Sequence, residues 1–380
     1  MGDLHLHIIA FDIPYPPDYG GVIDVFYQIK ALSEAGVKVH LHAFEYGKGR
    51  RSDELEKLCF QVYYYPRITG LISSFGLKPY ITASRRSEML MKELIKDNYP
   101  ILFEGLHTCF HINDKRLDER LKLVRTTNIE HRYYANLALA ERNIFKKVYF
   151  AIASLKLWYY QEVLRFADII LPVSITDAAY YQNIFPSQKV HLLPCFHANC
   201  LTMNERGGGN YVLFHGNLEV AENERAAVFL MRKVMNDIDY PFIIAGKSPS
   251  KRLVRIAANY PNVIVKSSPD EKTMAELISK ARINLLITFQ ATGLKLKLLN
   301  ALYNGSFVLV NNKMLHGTGL DELCYVANNA LELKKKVQML INSDFRSTEK
   351  NRNLKALTDK YDNNRNAINL VKLIQEELSQ

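Results

Sequence analysis

Short segments with the pattern of strands alternate with longer segments of helical pattern along most of the chain. Residues 4–11 have the composition of a buried strand. Apolar residues then recur at helical spacing between Val22 and Leu32, and Gly36 is well placed to end that helix. From Val37 onwards apolar and polar residues alternate. This order predicts a strand, a helix and a second strand, the opening unit of a parallel sheet.

The same alternation continues and then restarts in the second half of the chain. In the first half it predicts further strands at residues 61–65, 101–104, 121–126 and 168–173, and helices near residues 87–96 and 137–165. In the second half it predicts strands at residues 211–215, 241–245, 263–266, 283–287 and 307–311, separated by helical segments. Two successive doubly wound sheets are the simplest arrangement of this series.

The length of 380 residues exceeds the usual limit for a single hydrophobic core, so we expect two domains. Their boundary should fall between residues 191 and 210, because the stretch from Asn204 to Gly209 is the richest in glycine. We therefore predict a first domain at residues 1–195, a second at residues 196–355 and a terminal segment at residues 356–380. Helical apolar spacing in that last segment predicts a closing helix.

The charge of the chain narrows the choice of partners. A formal net charge of +10 favours anionic partners such as phosphorylated donors, acidic lipid surfaces or nucleic acid. We find no basic base-reading helix, no aromatic RNA-recognition signature and no zinc-finger spacing, so we expect no nucleic acid. The 48% hydrophobic and 23% charged content is ordinary for a globular protein.

Cysteine usage and the start of the chain indicate the compartment. The five cysteines form no C-x-x-C pair, and their odd number argues against a disulfide framework. The first residues lack the basic region and apolar run of a signal peptide, and no uncharged segment reaches membrane-crossing length. We expect a cytoplasmic protein, either soluble or peripheral at the inner face of the membrane.

Glycine turns follow three of the predicted strands. They contain Gly20 and Gly21 in the first half, and Gly216 and Gly293 in the second. A glycine lets backbone N–H groups approach an anion, and the helix that follows presents its positive end to a diphosphate. The alternative is a set of turns that only redirect the chain. The turn at Gly293, which opens a helix after an apolar strand, most strongly indicates a nucleotide-type ligand.

Three lysines accompany these turns. Lys247 follows a predicted strand and could reach a phosphate, although a solvated loop lysine is the alternative. Gly293, Lys297 and Asn300 would share one face of the helix, whereas Lys295 would be rotated from Lys297 by about 200°. We therefore favour Lys297 for the ligand, and Lys295 only if the first helical turn borders the phosphates.

Five short motifs in a matching order carry a family resemblance. They are Pro17-Asp18-Tyr19-Gly20-Gly21, residues 167–174 (ADIILPVS), residues 214–218 (FHGNL), residues 244–247 (IAGK) and residues 292–302 (TGLKLKLLNAL). The series resembles the retaining, nucleotide-sugar-dependent glycosyltransferases of the GT-B fold, of the group 1 and family 4 type. The resemblance implies an α/β fold of two Rossmann-like domains facing a cleft, with the C-terminal helix returning to the first domain.

The resemblance also implies site residues. His107 would hydrogen-bond the donor sugar or the acceptor, and Glu130 would be the carboxylate of the cleft; a structural histidine and a helix-capping glutamate are the alternatives. The family usually carries two glutamates where this chain has Thr292 and Asn300. Asn300 keeps one carbonyl acceptor for a ribose hydroxyl, whereas Thr292 cannot replace a carboxylate. These two departures leave open a catalytically silent protein that serves as a binding or scaffolding subunit.

The resemblance implies a hexosyltransferase-like enzyme that moves a sugar from a nucleotide-sugar to a saccharide or lipid-linked acceptor, in bacterial surface polysaccharide biosynthesis. We expect no cofactor and no metal, the nucleotide-sugar being the substrate. The two histidine pairs of the first strands lack the further ligands that zinc needs nearby in sequence, and we find neither a serine elbow nor a P-loop. A nucleotide-sugar epimerase on the same fold is a weaker alternative.

One stretch outside these motifs, residues 145–160, combines aromatic residues with Lys146, Lys147 and Lys156. It would suit contact with an anionic membrane surface that carries a lipid-linked acceptor. The alternative is a core helix whose lysines reach the solvent.

Overall fold

The computed structural model describes residues 4–45, 51–70, 76–141, 143–198, 209–291, 293, 295–345 and 347–379. The chain divides into two compact units. The first contains residues 1–198, 292–294 and 361–380, and the second contains residues 199–291 and 295–360. Most of the glycine-rich segment predicted as the boundary lies outside the described residues, as does Thr292.

The first unit contains a parallel sheet of seven strands in the order β3-β2-β1-β4-β5-β6-β7. The strands are β1 (His5–Ala10), β2 (Lys38–Glu45), β3 (Gln61–Pro66), β4 (Ile101–Glu104), β5 (Lys122–Thr126), β6 (Ile169–Pro172) and β7 (Lys189–Val190). The helices are α1 (Gly20–Glu34), α2 (Asp53–Leu58), α3 (Tyr80–Ala83), α4 (Glu88–Leu94), α5 (Glu130–Ala140), α6 (Ile144–Tyr160) and α7 (Ile175–Ile184).

The second unit contains a parallel sheet of six strands in the order β10-β9-β8-β11-β12-β13. The strands are β8 (Val212–His215), β9 (Phe242–Gly246), β10 (Val263–Ser267), β11 (Ile283–Leu286), β12 (Phe307–Val310) and β13 (Tyr325–Val326). The helices that follow are α8 (Ala221–Lys233), α9 (Lys251–Ala257), α10 (Glu271–Lys280), α11 (Leu296–Asn304), α12 (Asn312–Leu315), α13 (Ala330–Ile341) and α14 (Ser347–Tyr361). The chain ends with α15 (Asn363–Leu378).

Both sheets reverse their strand order beside their first strand. In the first sheet the reversal lies between β1 and β4, and in the second between β8 and β11. Helices feeding the two halves of such a sheet lie on opposite faces, which leaves a crevice at the carboxyl ends of these two strands. The α/β class with two doubly wound parallel sheets, predicted from the alternation of patterns, is confirmed.

Each sheet buries apolar residues on both faces, as parallel sheets covered by helices do. In the first unit Leu6 and Ile8 lie in one core and Ile9 in the other. The C-terminal helix α15 joins the first of these cores through Ala367, Leu370 and Ile374. It packs on α1, so the predicted return of this helix to the first unit is confirmed.

The segment predicted as one helix near residues 137–165 is a pair of helices instead. Helix α5 begins earlier, at Glu130, and ends at Ala140, and α6 begins at Ile144. The side chain of Asn143 caps α6 by accepting hydrogen bonds from the N–H groups of Phe145 and Lys146. A new cap in the middle of an apolar stretch explains why the helical periodicity alone gave a single long element.

Helix α6 also contradicts the interpretation of residues 145–160 as a core helix. Among its 17 residues, Leu157 alone is buried. Large apolar side chains remain exposed along it, including Phe145, Ile152 and Trp158. No helix of the described residues has both the length and the apolar character that crossing a bilayer requires.

A cluster of buried charges lies inside the first unit, beneath the carboxyl edge of its sheet. Arg125 of β5 forms an ion pair with Asp24 of α1, in which its Nη2 lies 3.0 Å from Asp24 Oδ1. Glu104 of β4 lies 3.7 Å from Arg125, too far for a hydrogen bond. Asp24 also accepts a hydrogen bond from the N–H of Phe196 at 2.6 Å. The cluster therefore fixes the segment by which the chain leaves the first unit.

At the amino end of the same sheet, four histidines are paired across β1 and β2. Nδ1 of His5 lies 2.9 Å from Nε2 of His40, and Nδ1 of His7 lies 2.7 Å from Nε2 of His42. Nε2 of His7 also contacts Asp97 at 3.0 Å. Burial lowers the pKa of His7 to about 4, against the opposing charge of Asp97, and it lowers the pKa of His42 as well. His7 and His42 are therefore neutral near pH 7.

Candidate functional site

The crevice of the second sheet contains Lys297. This residue lies in the first turn of α11, and its Nζ donates a hydrogen bond to Oδ1 of Asn223 at 3.1 Å. The ammonium also lies 5.6 Å from the ring centre of Phe214, in β8. Burial lowers the pKa of Lys297, and the negative charge of Glu222 opposes that effect. A bound phosphate would stabilise the charge of an ammonium in this half-buried position.

Glu222, in the first turn of α8, holds the loop that follows β11. One carboxylate oxygen accepts hydrogen bonds from the hydroxyl of Thr288 at 2.6 Å and from the N–H of Phe289 at 2.7 Å. Asn311 binds the other side of this loop, by accepting from the N–H of Thr288 and donating to its carbonyl. The loop leads to Gly293 and α11. Glu222 thereby positions Thr288 and Phe289, at the start of the connection from β11 to α11.

Two glycines lie at the carboxyl ends of β8 and β9. The backbone N–H of Gly216 donates to Ala245 at 3.2 Å. A side chain at Gly246 would overlap the carbonyl oxygen of Gly216. Lys247, next along, is exposed, and its carbonyl accepts from the N–H of Leu218 at 3.1 Å. This close approach of two turns places Gly216 and Lys247 at the same edge as Lys297.

His215, between Phe214 and Gly216, is a further polar residue of this edge. Burial lowers its pKa to about 3, and the charge of Lys297 adds to the effect. Its Nε2 atom is buried and has no hydrogen-bond partner among the described residues. A neutral imidazole with an unsatisfied nitrogen beside an ammonium is suited to a polar ligand. Sequence reasoning included His215 in a motif but did not assign it to the site.

The segment around Gly293 differs in part from the sequence prediction. Gly293 has φ of +88°, the left-handed conformation that favours glycine. Helix α11 begins at Leu296, so Gly293 and Lys295 precede it, and the prediction that Gly293 shares a helical face with Lys297 is wrong. Lys295 is the residue before the helix and borders its first turn.

Asn300 lies one turn after Lys297 on α11. Its side-chain oxygen accepts a hydrogen bond from Nδ2 of Asn304 at 2.7 Å, and its backbone carbonyl accepts from the same group at 3.1 Å. One lone pair of the expected ribose acceptor is therefore already used within the helix. Thr292 lies outside the described residues.

In the first unit, α1 begins at Gly20 and Gly21 immediately after the turn that follows β1. Tyr19 precedes the helix, and its own side chain makes no capping hydrogen bond. A side chain at Gly21 would lie 2.7 Å from the ring of Phe11, which packs at 5.3 Å from the ring of His107. The absence of a side chain at Gly21 thus leaves space for the ring of Phe11, which packs on His107 after the end of β4. The first N–H groups of such a helix can bind an anion.

His107 follows β4 and lies in a 3₁₀ helix. Burial lowers its pKa to about 3, and the charges of Arg85 and Arg67 add to this shift. The Nδ1 atom is buried and has no hydrogen-bond partner within the described part of the chain. His107 can therefore act as a neutral hydrogen-bonding group near pH 7. It is not suited to act as a cation.

Arg85, which sequence reasoning missed, supports this end of the first sheet. Its side chain is buried and donates to the carbonyl oxygens of Phe11 and Ile81. Burial lowers its pKa to about 9, and neighbouring Arg67 contributes. A buried guanidinium beside His107 makes this region electropositive.

Glu130 is the first residue of α5, after β5, and its carboxyl group is buried. Burial raises its pKa to about 7, while a hydrogen bond with the side chain of Asn128 opposes the shift and Asp177 adds to it. Such a group can give or accept a proton near neutral pH. The charges of Glu130 and Arg85 both act on the pKa of Tyr134, and the charge of Arg85 acts on that of His107. The roles of the site residues in both units stay predictions.

Solved structures with the same architecture cover nearly the whole chain. A sucrose-phosphate synthase from Thermosynechococcus elongatus superposes with a TM-score of 0.75 over 99% of both chains at 14% identity. TarM gives a TM-score of 0.70 over 98% of both chains at 11% identity. A trehalose-phosphate synthase from Burkholderia xenovorans gives 0.63 over 98% of this chain and 100% of its own, at 10% identity. These proteins are GT-B glycosyltransferases.

The chain has the GT-B fold. Each of the two α/β units of this fold contains one of the crevices described above. No protein-family model matches the sequence. An uncharacterized 44.6 kDa protein in the cps region of Klebsiella pneumoniae is 24% identical over 350 residues, which are 87% of this GT-B chain and 89% of the relative.

Proposed function

We propose that this GT-B protein is a retaining, hexosyltransferase-like glycosyltransferase that uses a nucleotide-sugar donor. The observation that carries the proposal is the position of Lys297, a half-buried ammonium at the point where the second sheet reverses its strand order. The departing nucleoside diphosphate is the anion that such a group would stabilise. No metal is required in this proposal, since the chain's own positive groups face the diphosphate.

The acceptor is a saccharide or a lipid-linked saccharide, and it binds at the carboxyl edge of the first sheet. His107 offers a neutral hydrogen-bonding nitrogen there, and Glu130 is a carboxyl group with a pKa near neutral pH. His107 orients the acceptor hydroxyl, and the ionised carboxylate of Glu130 accepts its proton as the hydroxyl oxygen bonds to the sugar and the nucleoside diphosphate leaves. The relative in a cps region supports a role in bacterial surface polysaccharide biosynthesis. With a lipid-linked acceptor the reaction takes place at the inner face of the membrane.

A thermal-shift screen with UDP, GDP, ADP, CMP and their sugar conjugates tests the donor site. A ligand that binds only the folded protein raises its melting temperature by mass action. We expect one nucleotide class to give a shift that Lys297→Ala abolishes. Lys335→Ala, on the exposed side of α13, is the matched control and should keep the shift. If no nucleotide stabilises the wild-type protein, the donor-binding proposal fails.

A catalytically silent binding subunit is the second candidate, and the state of Asn300 favours it. The ribose acceptor expected at this position is already engaged by Asn304. Incubation of the shifting nucleotide-sugar with total bacterial lipid and oligosaccharide extracts, followed by mass spectrometry, separates the two candidates. Transfer of the sugar, lost in Glu130→Gln, excludes the silent candidate. Donor binding without transfer or hydrolysis would favour it.

A further inference from the structure

Helix α6 presents an apolar surface that the fold itself does not use. The exposed residues Phe145, Val148, Tyr149, Ile152, Leu155 and Tyr159 occupy an arc of about 120°, one third of its circumference, at 100° per residue. Phe145 and Tyr159 are 82% and 65% exposed. Contiguous apolar surface of this extent indicates an interaction site rather than scattered surface residues.

Exposed apolar residues also lie on the segments that neighbour α6. Leu139 is exposed at the end of α5, which packs along α6. On the other side, Nζ of Lys156 donates to the carbonyl of Gly76 at 2.8 Å, and the adjacent Leu77 is 96% exposed. Two further segments next to α6 thus also carry exposed apolar residues.

The charges around this face select its partner. Residues 143–160 contain three lysines and no aspartate or glutamate. A second copy of the chain, docked through the same helix about a two-fold axis, would place these lysines against a segment that contains no carboxylate of its own. A surface of anionic lipid supplies the opposite charge together with an apolar layer for the aromatic residues.

We infer that α6, with Leu77 and Leu139, is a surface that docks on an anionic lipid bilayer, with the helix axis in the plane of the headgroups. Trp158 and the tyrosines of the helix suit this boundary, where aromatic rings with one polar end accumulate. Lys146 and Lys147, both exposed, lie on opposite flanks of the apolar face, about 120° and 140° from its centre at 100° per residue, and their long side chains extend back towards the lipid phosphates. The apolar side chains enter the acyl boundary.

This inference rests on the proposed function in one respect. The hairpin of α5 and α6 begins at Glu130, where the acceptor is proposed to bind. A docked hairpin would hold the carboxyl edge of the first sheet beside the membrane, where a lipid-linked saccharide is found. The membrane contact itself does not depend on the chemistry at Glu130.

Vesicle sedimentation tests the docking surface. We compare vesicles of phosphatidylcholine with vesicles that contain about one quarter phosphatidylglycerol, and we expect the wild-type protein to favour the anionic set. The double variants Phe145→Glu/Ile152→Glu and Lys146→Glu/Lys147→Glu should each weaken binding by about tenfold or more. Leu331→Glu/Met339→Glu, on the exposed face of α13, is the matched control and should bind as the wild type does. Thermal unfolding checks that every variant is folded.

Two results would overturn the inference. One is equal vesicle binding by the wild type, the α6 variants and the α13 control. The other is a concentration-dependent dimer in sedimentation velocity that Phe145→Glu/Ile152→Glu abolishes, with no vesicle binding, which would make the face a self-association surface. Nucleotide thermal shifts on the same proteins keep the two proposals apart. Lost vesicle binding with a retained shift refutes the docking alone, whereas vesicle binding without any nucleotide shift refutes the proposed donor site.

Discussion

The two sheets have the same strand order up to their sixth strand, yet they place their buried charges differently. In the first unit Asp24 and Arg125 lie inside the protein and satisfy each other. In the second, Glu222 and Lys297 lie at the open end of the sheet, and Lys297 has a neutral amide as its hydrogen-bond partner. The ion pair in the first unit holds together β5, α1 and the segment at Phe196 by which the chain leaves that unit. The second leaves a positive group with capacity for a ligand.

Within the same strand order, the paired charges of the first unit stabilise the fold, whereas the charge at the crevice of the second unit is available for binding. A charge that is paired in the interior interacts little with a substrate, and removal of its partner mainly lowers the stability of the fold. Charge that is held at the crevice by a neutral group or a loop can transfer its interaction to an incoming phosphate. The largest expected effects therefore concern stability of the first unit, and the smaller ones concern ligand affinity.

Replacement of Arg125 by methionine should produce the largest effect. Asp24 and Glu104 would remain buried without their cation, and breaking such a cluster costs about 3–5 kcal/mol. Equilibrium urea unfolding measures this loss. Nucleotide-induced thermal shifts should persist wherever the variant is folded. A loss of less than about 1 kcal/mol would remove the proposed contrast between the two sheets.

Glu222→Ala should lower both stability and nucleotide affinity. The Thr288 hydroxyl and the Phe289 N–H would lose their shared acceptor, which costs about 2–3 kcal/mol when such groups are buried. The loop before α11 would then hold Lys297 less firmly. Urea unfolding and nucleotide titration by calorimetry give the two readouts. Glu222→Gln, which keeps one acceptor oxygen, should retain most of both; equal losses in the two variants would contradict the positioning role.

Acid should destabilise the first unit through its histidine row. Burial depresses the folded-state pKa of His7 to about 4, below the ordinary value of 6.5, so the unfolded chain binds more protons between these values. The contribution is complete above pH 6.5 and is lost as the pH falls towards 4, by about 2 kcal/mol between pH 7 and pH 5. Unfolding free energies measured across this range provide the check.

The comparison with His7→Phe isolates this contribution, because buried carboxyl groups act in the opposite direction. Burial raises the pKa of Glu104 and of Glu130 to about 7, so these groups bind protons in the folded state and favour folding as the pH falls from 7 to 4.5. The wild-type protein should lose stability relative to His7→Phe on acidification. Parallel pH profiles for the two proteins would exclude the histidine row as the cause.

Asn300→Glu should give the smallest change, a gain in nucleotide affinity of about fivefold. A carboxylate can accept from both ribose hydroxyls with charge-assisted bonds, and it has lone pairs left for Asn304. Isothermal titration with the nucleotide identified by thermal shift measures the gain. Asn304→Ala, which frees the oxygen of Asn300, should act in the same direction. Unchanged affinity in both variants would place Asn300 away from the ribose.

Most of the strands and their alternation with helices were predictable, because burial on both faces leaves dense apolar runs between turns. The two-residue strands β7 and β13 are too short to give such a run. Lys297 was also accessible to sequence reasoning, since a lysine in the first turn after a glycine-opened strand is a distinctive position. Glu222 could not be predicted from the sequence, because an acidic residue in the first turn of a helix usually lies at the surface and interacts with the helix dipole. Its partners, Thr288 and Phe289, lie more than sixty residues away. The role of Arg125 could not be predicted for the same reason, because its partner Asp24 is also distant in the sequence.

The exposed face of α6 marks another limit of the sequence. Its apolar spacing is the same whether the residues face a core or the solvent, and the nearby helix α5 takes only the side that includes Leu157. Periodicity gives the orientation of a helix relative to its own axis. It does not tell what covers the apolar side.

The packing of Gly246 against the carbonyl of Gly216 has an evolutionary consequence. Any descendant that keeps this pair of turns must keep glycine at 246, whether or not it still transfers a sugar. Lys247 is under no such steric constraint and is free to drift once selection for the reaction ends. Among natural variants, an unchanged Gly246 therefore carries no information about activity. A retained lysine at 247 or at 297 would be the sign of a lineage still under selection for its donor.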